Sequence, residues 1–187
     1  MVTINASTTA GLVMTSDLSG TLSLQSNGVA VTVPAVAGTM MVSGNMPAFS
    51  AYLPTSTQSV NTASWTKVAF SATEFDTNTN FNTSTYRFTP TVAGYYQFNS
   101  SILLNSINAG AITNIAIYKN GSEIRRGSGG SISQSTNDLY INVSSIIQAN
   151  GSTDYFEIYV YQATGSTKTL YFGQSYTYFN GSLVRSA

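Results

Sequence analysis

Apolar and polar residues alternate at a period of two along most of this chain, and no long segment repeats at the three-to-four spacing of a helix face. From Met46 onward, strand-like runs recur at residues 49–53, 65–70, 95–104, 111–118, 122–126, 139–143, 154–162, 168–172 and 176–184. Turn signals such as Asn120-Gly121 separate them. The pattern predicts an all-β sandwich with interior positions Phe49, Trp65, Phe70, Phe88, Tyr96, Phe98, Ile102, Ile115, Ile117, Phe156, Ile158, Val160 and Leu183. Residues 1–45 differ: they hold no aromatic side chain and one charge, Asp17. Within them residues 21–25 alternate, Ser26-Asn27-Gly28 supplies turn chemistry, and Val29, Val31 and Val33 alternate again before Pro34, which predicts a β-hairpin. Such an arm has too few large side chains to bury a core alone, so it needs sister chains or a host structure. Ser43-Gly44-Asn45 reads as the linker between this arm and the sandwich.

The most informative stretch is residues 70–100, FSATEFDTNTNFNTSTYRFTPTVAGYYQFNS. Its first half is a polar loop pinned by phenylalanines; its second half alternates as a half-buried strand. The spacing is Phe70, five residues, Asp76, four residues, Phe81, six residues, Phe88, five residues, Gly94, then Tyr96 and Phe98. This resembles the signature of the complement C1q globular-head family, with Ser100 where that family usually has Phe or Tyr. Pro47-Ala-Phe49-Ser-Ala-Tyr52, Tyr118-Lys-Asn-Gly121 and Phe179-Asn-Gly181-Ser-Leu183 resemble the same family in the same order, so the resemblance spans roughly residues 46–187. It implies a C1q/TNF-like jelly roll of about ten strands (residues 46–187) behind a short extended β arm (residues 1–45), assembled as a homotrimer. It makes Phe70, Asp76, Phe81, Phe88, Gly94, Tyr96 and Phe98 framework positions. Relatives in that family can bind calcium near the trimer axis, but this chain has no Asp/Asn ladder of calcium-loop type, so no cofactor and no metal ligand is assigned. Residues 15–28 resemble the short β segments of phage tail-fibre and other virion appendage proteins.

Composition narrows the function. Charged residues make up 7% of the chain, against about 25% in ordinary globular proteins, and the net charge is zero. That leaves no basic field for nucleic acid and no polybasic patch for an anionic membrane, and no run approaches a membrane span. Solubility falls to Ser, Thr, Asn and Gln, and near-neutral surfaces associate readily. With no histidine and no cysteine, neither a Ser-His-Asp or Cys-His arrangement nor a thiolate metal site can form. The seven acids make no facing carboxylate pair. Asp76 is expected to accept backbone N–H bonds in its loop, and Asp154 and Glu157 to point to opposite faces of a strand. An enzyme is therefore not expected. Gly127-Ser-Gly-Gly130 lacks the residues of a phosphate loop and reads as a mobile connection. Asn82, Asn142 and Asn180 open N-x-Ser/Thr sequons that follow from the composition.

The strand at residues 154–162 carries a second message. Phe156, Ile158 and Val160 line one face, and Tyr155, Tyr159 and Tyr161, with Glu157, the other. A sandwich strand needs only one apolar face, so the tyrosine side is a candidate for contact with another chain or with sugar rings. Arg125 and Arg126 are candidates for an acidic sugar. The N-terminus lacks the basic start and apolar core of a signal peptide, so export by the usual route is not expected. The resulting expectation is a non-enzymatic structural protein of a bacteriophage virion, made in the host cytoplasm and released by lysis. It would be a tail-fibre, capsid-fibre or decoration protein. Residues 1–45 would attach to other virion proteins and the trimeric head would contact host cell-surface glycans. The alternatives are a capsid cement protein without a ligand and a soluble C1q-like lectin.

Overall fold

A computed structural model describes the strands β1 (Leu22–Ser26) and β2 (Val29–Val33), residue 44, and residues 46–187 apart from 132, 134 and 135. The readings of residues 1–21, 27–28, 34–43 and 45 lie outside the described residues. The chain divides into two compact units, residues 1–40 and 41–187. In the first, β1 and β2 pair antiparallel from Leu22↔Val33 to Ser26↔Val29, which leaves Asn27 and Gly28 between them. This is the register that the two alternating runs of the sequence predict.

The second unit contains thirteen strands among its described residues: β3 (Ala48–Tyr52), β4 (Gln58–Val60), β5 (Ser64–Lys67), β6 (Ala72–Asp76), β7 (Phe81–Asn82), β8 (Arg87–Phe88), β9 (Gly94–Asn108), β10 (Ile112–Lys119), β11 (Ser122–Arg126), β12 (Thr136–Ala149), β13 (Phe156–Ala163), β14 (Lys168–Leu170) and β15 (Tyr178–Ser186). Twelve of them form two antiparallel sheets, and β5 lies against β13 outside both strand orders. One has the order β11-β10-β13-β8-β7; the other runs β4-β14-β9-β15-β3-β6, with β12 paired to β9. The count exceeds ten because β6, β7 and β8 are short pairings inside what reads as loop, and the alternation at residues 139–143 marks only the middle of the 14-residue β12.

The core lies between the sheets, and rings hold it. Phe49 on β3 stacks on Phe88 of the opposite sheet with centroids 4.1 Å apart, and Phe98 meets Phe156 at 4.5 Å. Phe179 packs within 5–6 Å of Phe49, Phe70 and Phe98. The framework positions explain their spacing. Asp76 accepts the Asn80 N–H on Oδ1 (3.0 Å) and the Phe81 N–H on Oδ2 (2.7 Å), which seats the Phe81 ring against Phe49. Gly94 lies where a Cβ would run into the Arg185 carbonyl and the Leu183 side chain. Tyr96 is fully buried and donates its hydroxyl hydrogen to the Val92 carbonyl (2.7 Å). Ser100 is also buried, and its hydroxyl donates to the Tyr178 carbonyl (2.7 Å), so the small side chain is satisfied beside Phe179.

Two expectations fail here. Trp65 is not interior. Val68 and Phe70 point inward, fully buried, and in an extended segment residue 65 has the opposite parity, so its indole lands on the outer face. The 127–130 segment is not a loose connection. Gly127 N–H donates to the Ile115 carbonyl (2.8 Å), Ser128 N–H to the Asn142 carbonyl (2.9 Å), and Gly130 exchanges bonds with the Thr113 hydroxyl (2.8 and 3.1 Å). Its glycines let the backbone press against β10 and β12, since a Cβ on Gly127 would collide with Asn142 and Val143.

Candidate functional site

The outer face of the five-stranded sheet carries an aromatic layer. Alternation along β13 aims Tyr159 and Tyr161 away from the core, with Tyr155 just before the strand, and β10 adds Tyr118. Tyr118 stacks on Tyr159 (4.1 Å, 29° between planes); Trp65, on β5, meets Tyr118 at 6.0 Å and Tyr161 at 5.6 Å. Ala116 points outward between Ile115 and Ile117 and pairs with Tyr159, yet it is fully buried, so the ring layer excludes water from the sheet. Burial pushes the Tyr159 and Tyr118 hydroxyls above the ordinary tyrosine range, helped by the negative charges of Glu157 and Glu123 respectively. The hydroxyls of Tyr86, Tyr118, Tyr155, Tyr159 and Tyr161 and the Trp65 Nε1 bond to no described residue and stay open to solvent. The layer is therefore a surface of flat apolar rings with unpaired polar tips.

Ion pairs frame it. Arg87 follows Tyr86 on the loop into β8, and the pairing of Phe88 with Phe156 sets it across from Glu157. Its Nε donates to Glu157 Oε1 (2.7 Å), which raises the guanidinium pKa above its usual value. Lys67 Nζ reaches the same oxygen (3.1 Å), and Glu157 is only 1% exposed. The guanidinium of Arg87 lies 4.1 Å from the Tyr155 ring centroid and that of Arg126 5.3 Å from Trp65. Arg126 is held bidentately by Glu123 (2.9 and 2.8 Å), which raises its pKa. At the strand's start Lys119 pairs with Asp154 (2.8 Å). Burial opposes ionisation of Asp154, but bonds from Lys119, Asn120 and the Asn150 N–H together outweigh it and keep the carboxyl below its ordinary range.

The structure thus brings Tyr155, Tyr159, Tyr161 and Arg126 to one face. Arg125 leaves it: neighbours on β11 point opposite ways, and the Arg125 Nε donates to Ser145 Oγ of β12 (3.2 Å). Trp65, Lys67, Tyr86, Arg87 and Tyr118 belong to the same face and were not singled out for it. The dipeptide Tyr86-Arg87 just before an inward phenylalanine is the signal that could have found the last cation, because the residue beside an inward Phe88 on a strand must face out.

The outer face of the other sheet carries no ion pair among the described residues. All four ion pairs among the described residues lie on the aromatic side or its edges. On β9, β12 and β15 the outward positions are mostly amides, hydroxyls, rings and aliphatic side chains, with Asp138 and Arg185 the exposed charges. Gln97 donates to Ser144 Oγ (2.9 Å) and Asn99 Oδ1 (3.1 Å), and Asn99 donates to Asn180 Oδ1 (3.2 Å). Exposed Tyr95, Ile146 and Val184 line a shallow hollow of about 470 Å³ at one end together with Arg185, and Tyr140 is exposed farther along β12. No group of three or more His, Cys, Asp or Glu residues comes together among the described residues, and both Asp76 carboxylate oxygens are spent on its loop.

Comparison with solved structures agrees with this geometry. The Eiger TNF of S. frugiperda superposes with a TM-score of 0.60 at 9% identity, covering 76% of this chain and 95% of that one. The globular domain of zebrafish complement 1qA superposes with a TM-score of 0.51 at 18% identity, covering 75% and 98%. The chain folds as a C1q/TNF-like jelly roll. Murine APRIL, at a TM-score of 0.54 and 11% identity, covering 74% and 99%, shares the jelly roll too. No sequence family and no curated protein matches the chain. The jelly roll is thus shared at the level of fold, while the aromatic layer and the opposite face without ion pairs are built from this chain's own residues.

Proposed function

We propose that this chain is a non-enzymatic structural and adhesive protein of a bacteriophage virion, a tail-fibre, capsid-fibre or decoration protein. Its C1q/TNF-like head assembles as a homotrimer, and residues 1–45 attach it to other virion proteins. The head displays its aromatic face to the host surface and contacts glycans there. The observation that carries this reading is the gathering of the ion pairs among the described residues on one of the two outer faces. A sheet face without ion pairs that exposes Tyr95, Ile146 and Val184 around one arginine, Arg185, costs less to desolvate than the ion-paired face and favours burial against copies of itself. A face with paired charges, flat rings and unpaired hydroxyls stays soluble while offering sugars both stacking surface and hydrogen bonds. Three weak sites on one trimer gain by avidity. The β-hairpin of the arm, and its likeness to fibre segments, support the attachment role.

Purified protein is the test. At saturation it should label host cells and slow adsorption of the phage that carries it. Protein that neither labels cells nor slows adsorption, though still found on the particle, would reduce the reading to a cement protein without a ligand.

A further inference from the structure

Arg87 is held in an unusual way for a surface arginine. Its Nε is fixed to the buried Glu157, and its guanidinium carbon lies over the Tyr155 ring, 4.1 Å from the centroid. Its two terminal nitrogens, Nη1 and Nη2, donate to no described residue and are open to solvent. An end-on pair of guanidinium donors with a locked plane matches the two oxygens of a carboxylate, and little rotamer entropy remains to be lost on binding. Lys67 converges on the same Glu157 oxygen and spends another donor on the Thr85 carbonyl (3.1 Å). Two cations therefore share one carboxylate, and the cluster carries one positive charge in excess. Around it stand the unpaired hydroxyls of Tyr86, Tyr155 and Tyr159, and the Tyr118–Tyr159 stack continues the surface.

We infer that the Arg87 cluster is a binding site for a carboxylate-bearing sugar, with Arg87 gripping the acid group and the tyrosine layer taking the pyranose ring. One excess charge matches a monoanionic carboxylate better than a doubly charged phosphate ester. The adjoining rings favour an anion attached to a sugar over a free ion. The inference deepens the proposed recognition role, since it names the ligand class for the displayed face, but it does not depend on the trimer.

The test uses the full chain with three probes in titration calorimetry: trigalacturonate, its methyl ester, and dextran sulfate. Trigalacturonate should bind, and the neutral ester should bind at least about ten-fold more weakly. Arg87→Lys, which keeps the charge and loses the fork, should also weaken trigalacturonate about ten-fold. Lys168→Gln, in the other sheet, should change nothing. Equal binding of the ester, an unaffected Arg87→Lys variant, or dextran sulfate bound tightly with no response to Arg87→Lys would each overturn the inference. So would no binding of trigalacturonate by protein whose sedimentation is unchanged, and that outcome would leave the self-association untouched. A second variant, Tyr159→Ala, should weaken both trigalacturonate and its ester, because it removes stacking and not charge. Weakening of trigalacturonate alone would contradict the assigned role of the ring.

Discussion

Replacing Asp76 by alanine tests how the signature loop is built. The carboxylate accepts two backbone N–H groups, from Asn80 at 3.0 Å and Phe81 at 2.7 Å. A hydrogen bond to a charged group contributes about 1.5–3 kcal/mol, and partial exposure of the site puts these two at the low end, so Asp76→Ala should cost ~2–4 kcal/mol. Asp76→Asn keeps the size and one acceptor but turns an amino group toward the second N–H, so it should cost about half as much. The loss reaches the core because the Phe81 N–H bond seats a ring that stacks 5.4 Å from Phe49. Urea unfolding followed by fluorescence is the assay. Trp65 is the only tryptophan, and its packing against Tyr118 and Tyr161 makes it a reporter of the five-stranded sheet. Variants must be compared at one protein concentration, since association shifts the midpoint. The midpoint should fall with an unchanged slope. An alanine variant within about 0.5 kcal/mol of the parent would refute the reasoning. An asparagine variant no better than alanine would show that acceptor number is not what matters.

Two further predictions come from neighbouring framework residues. Burial raises the Tyr96 hydroxyl to about 12, above the ~10 of an unfolded tyrosine. The neutral form is thus favoured in the fold, and stability is level below pH 10 and declines as pH rises toward 12, by ~2–3 kcal/mol from this residue. Tyr96→Phe should lower stability at pH 7 by about 1 kcal/mol through loss of the Val92 bond, yet flatten the alkaline decline; a decline as steep as the parent's would place its origin elsewhere. Gly94→Ala should cost at least ~2 kcal/mol in the same urea assay, because the new methyl meets the Arg185 backbone, which cannot turn aside as a side chain could. A neutral result would mean that β9 and β15 can part at little cost.

The framework was legible in the sequence because its causes are local. Asp76 reaches only four and five residues ahead, and Phe81, Phe88 and Gly94 are spaced by the turns between them. The inward face of β13 was legible from alternation alone. Parity also explains the error at Trp65: a run containing both residue 65 and residue 70 cannot put both on one side. The rest of the candidate face depends on long-range register. Arg87 meets Glu157 only because β8 lies beside β13, 70 residues away in the chain, and no local pattern encodes that pairing. Composition announced a nearly uncharged surface. It could not announce that the ion pairs would gather on one side, since that follows from which strands the topology sends to which layer.

The measurement that bears most directly on the proposed assembly is sedimentation equilibrium of the full chain at micromolar concentration, with a paired variant, Ile146→Arg plus Val184→Arg. Both substituted residues are exposed around the hollow of the larger sheet, so the fold should tolerate arginine while burial of two further charges against another copy should not be tolerated. The account predicts a parent mass of about 59 kDa, three times the 19.8 kDa chain, and a variant at the monomer mass with unchanged far-ultraviolet circular dichroism. A parent that sediments as a monomer, or a variant that remains trimeric, would contradict it.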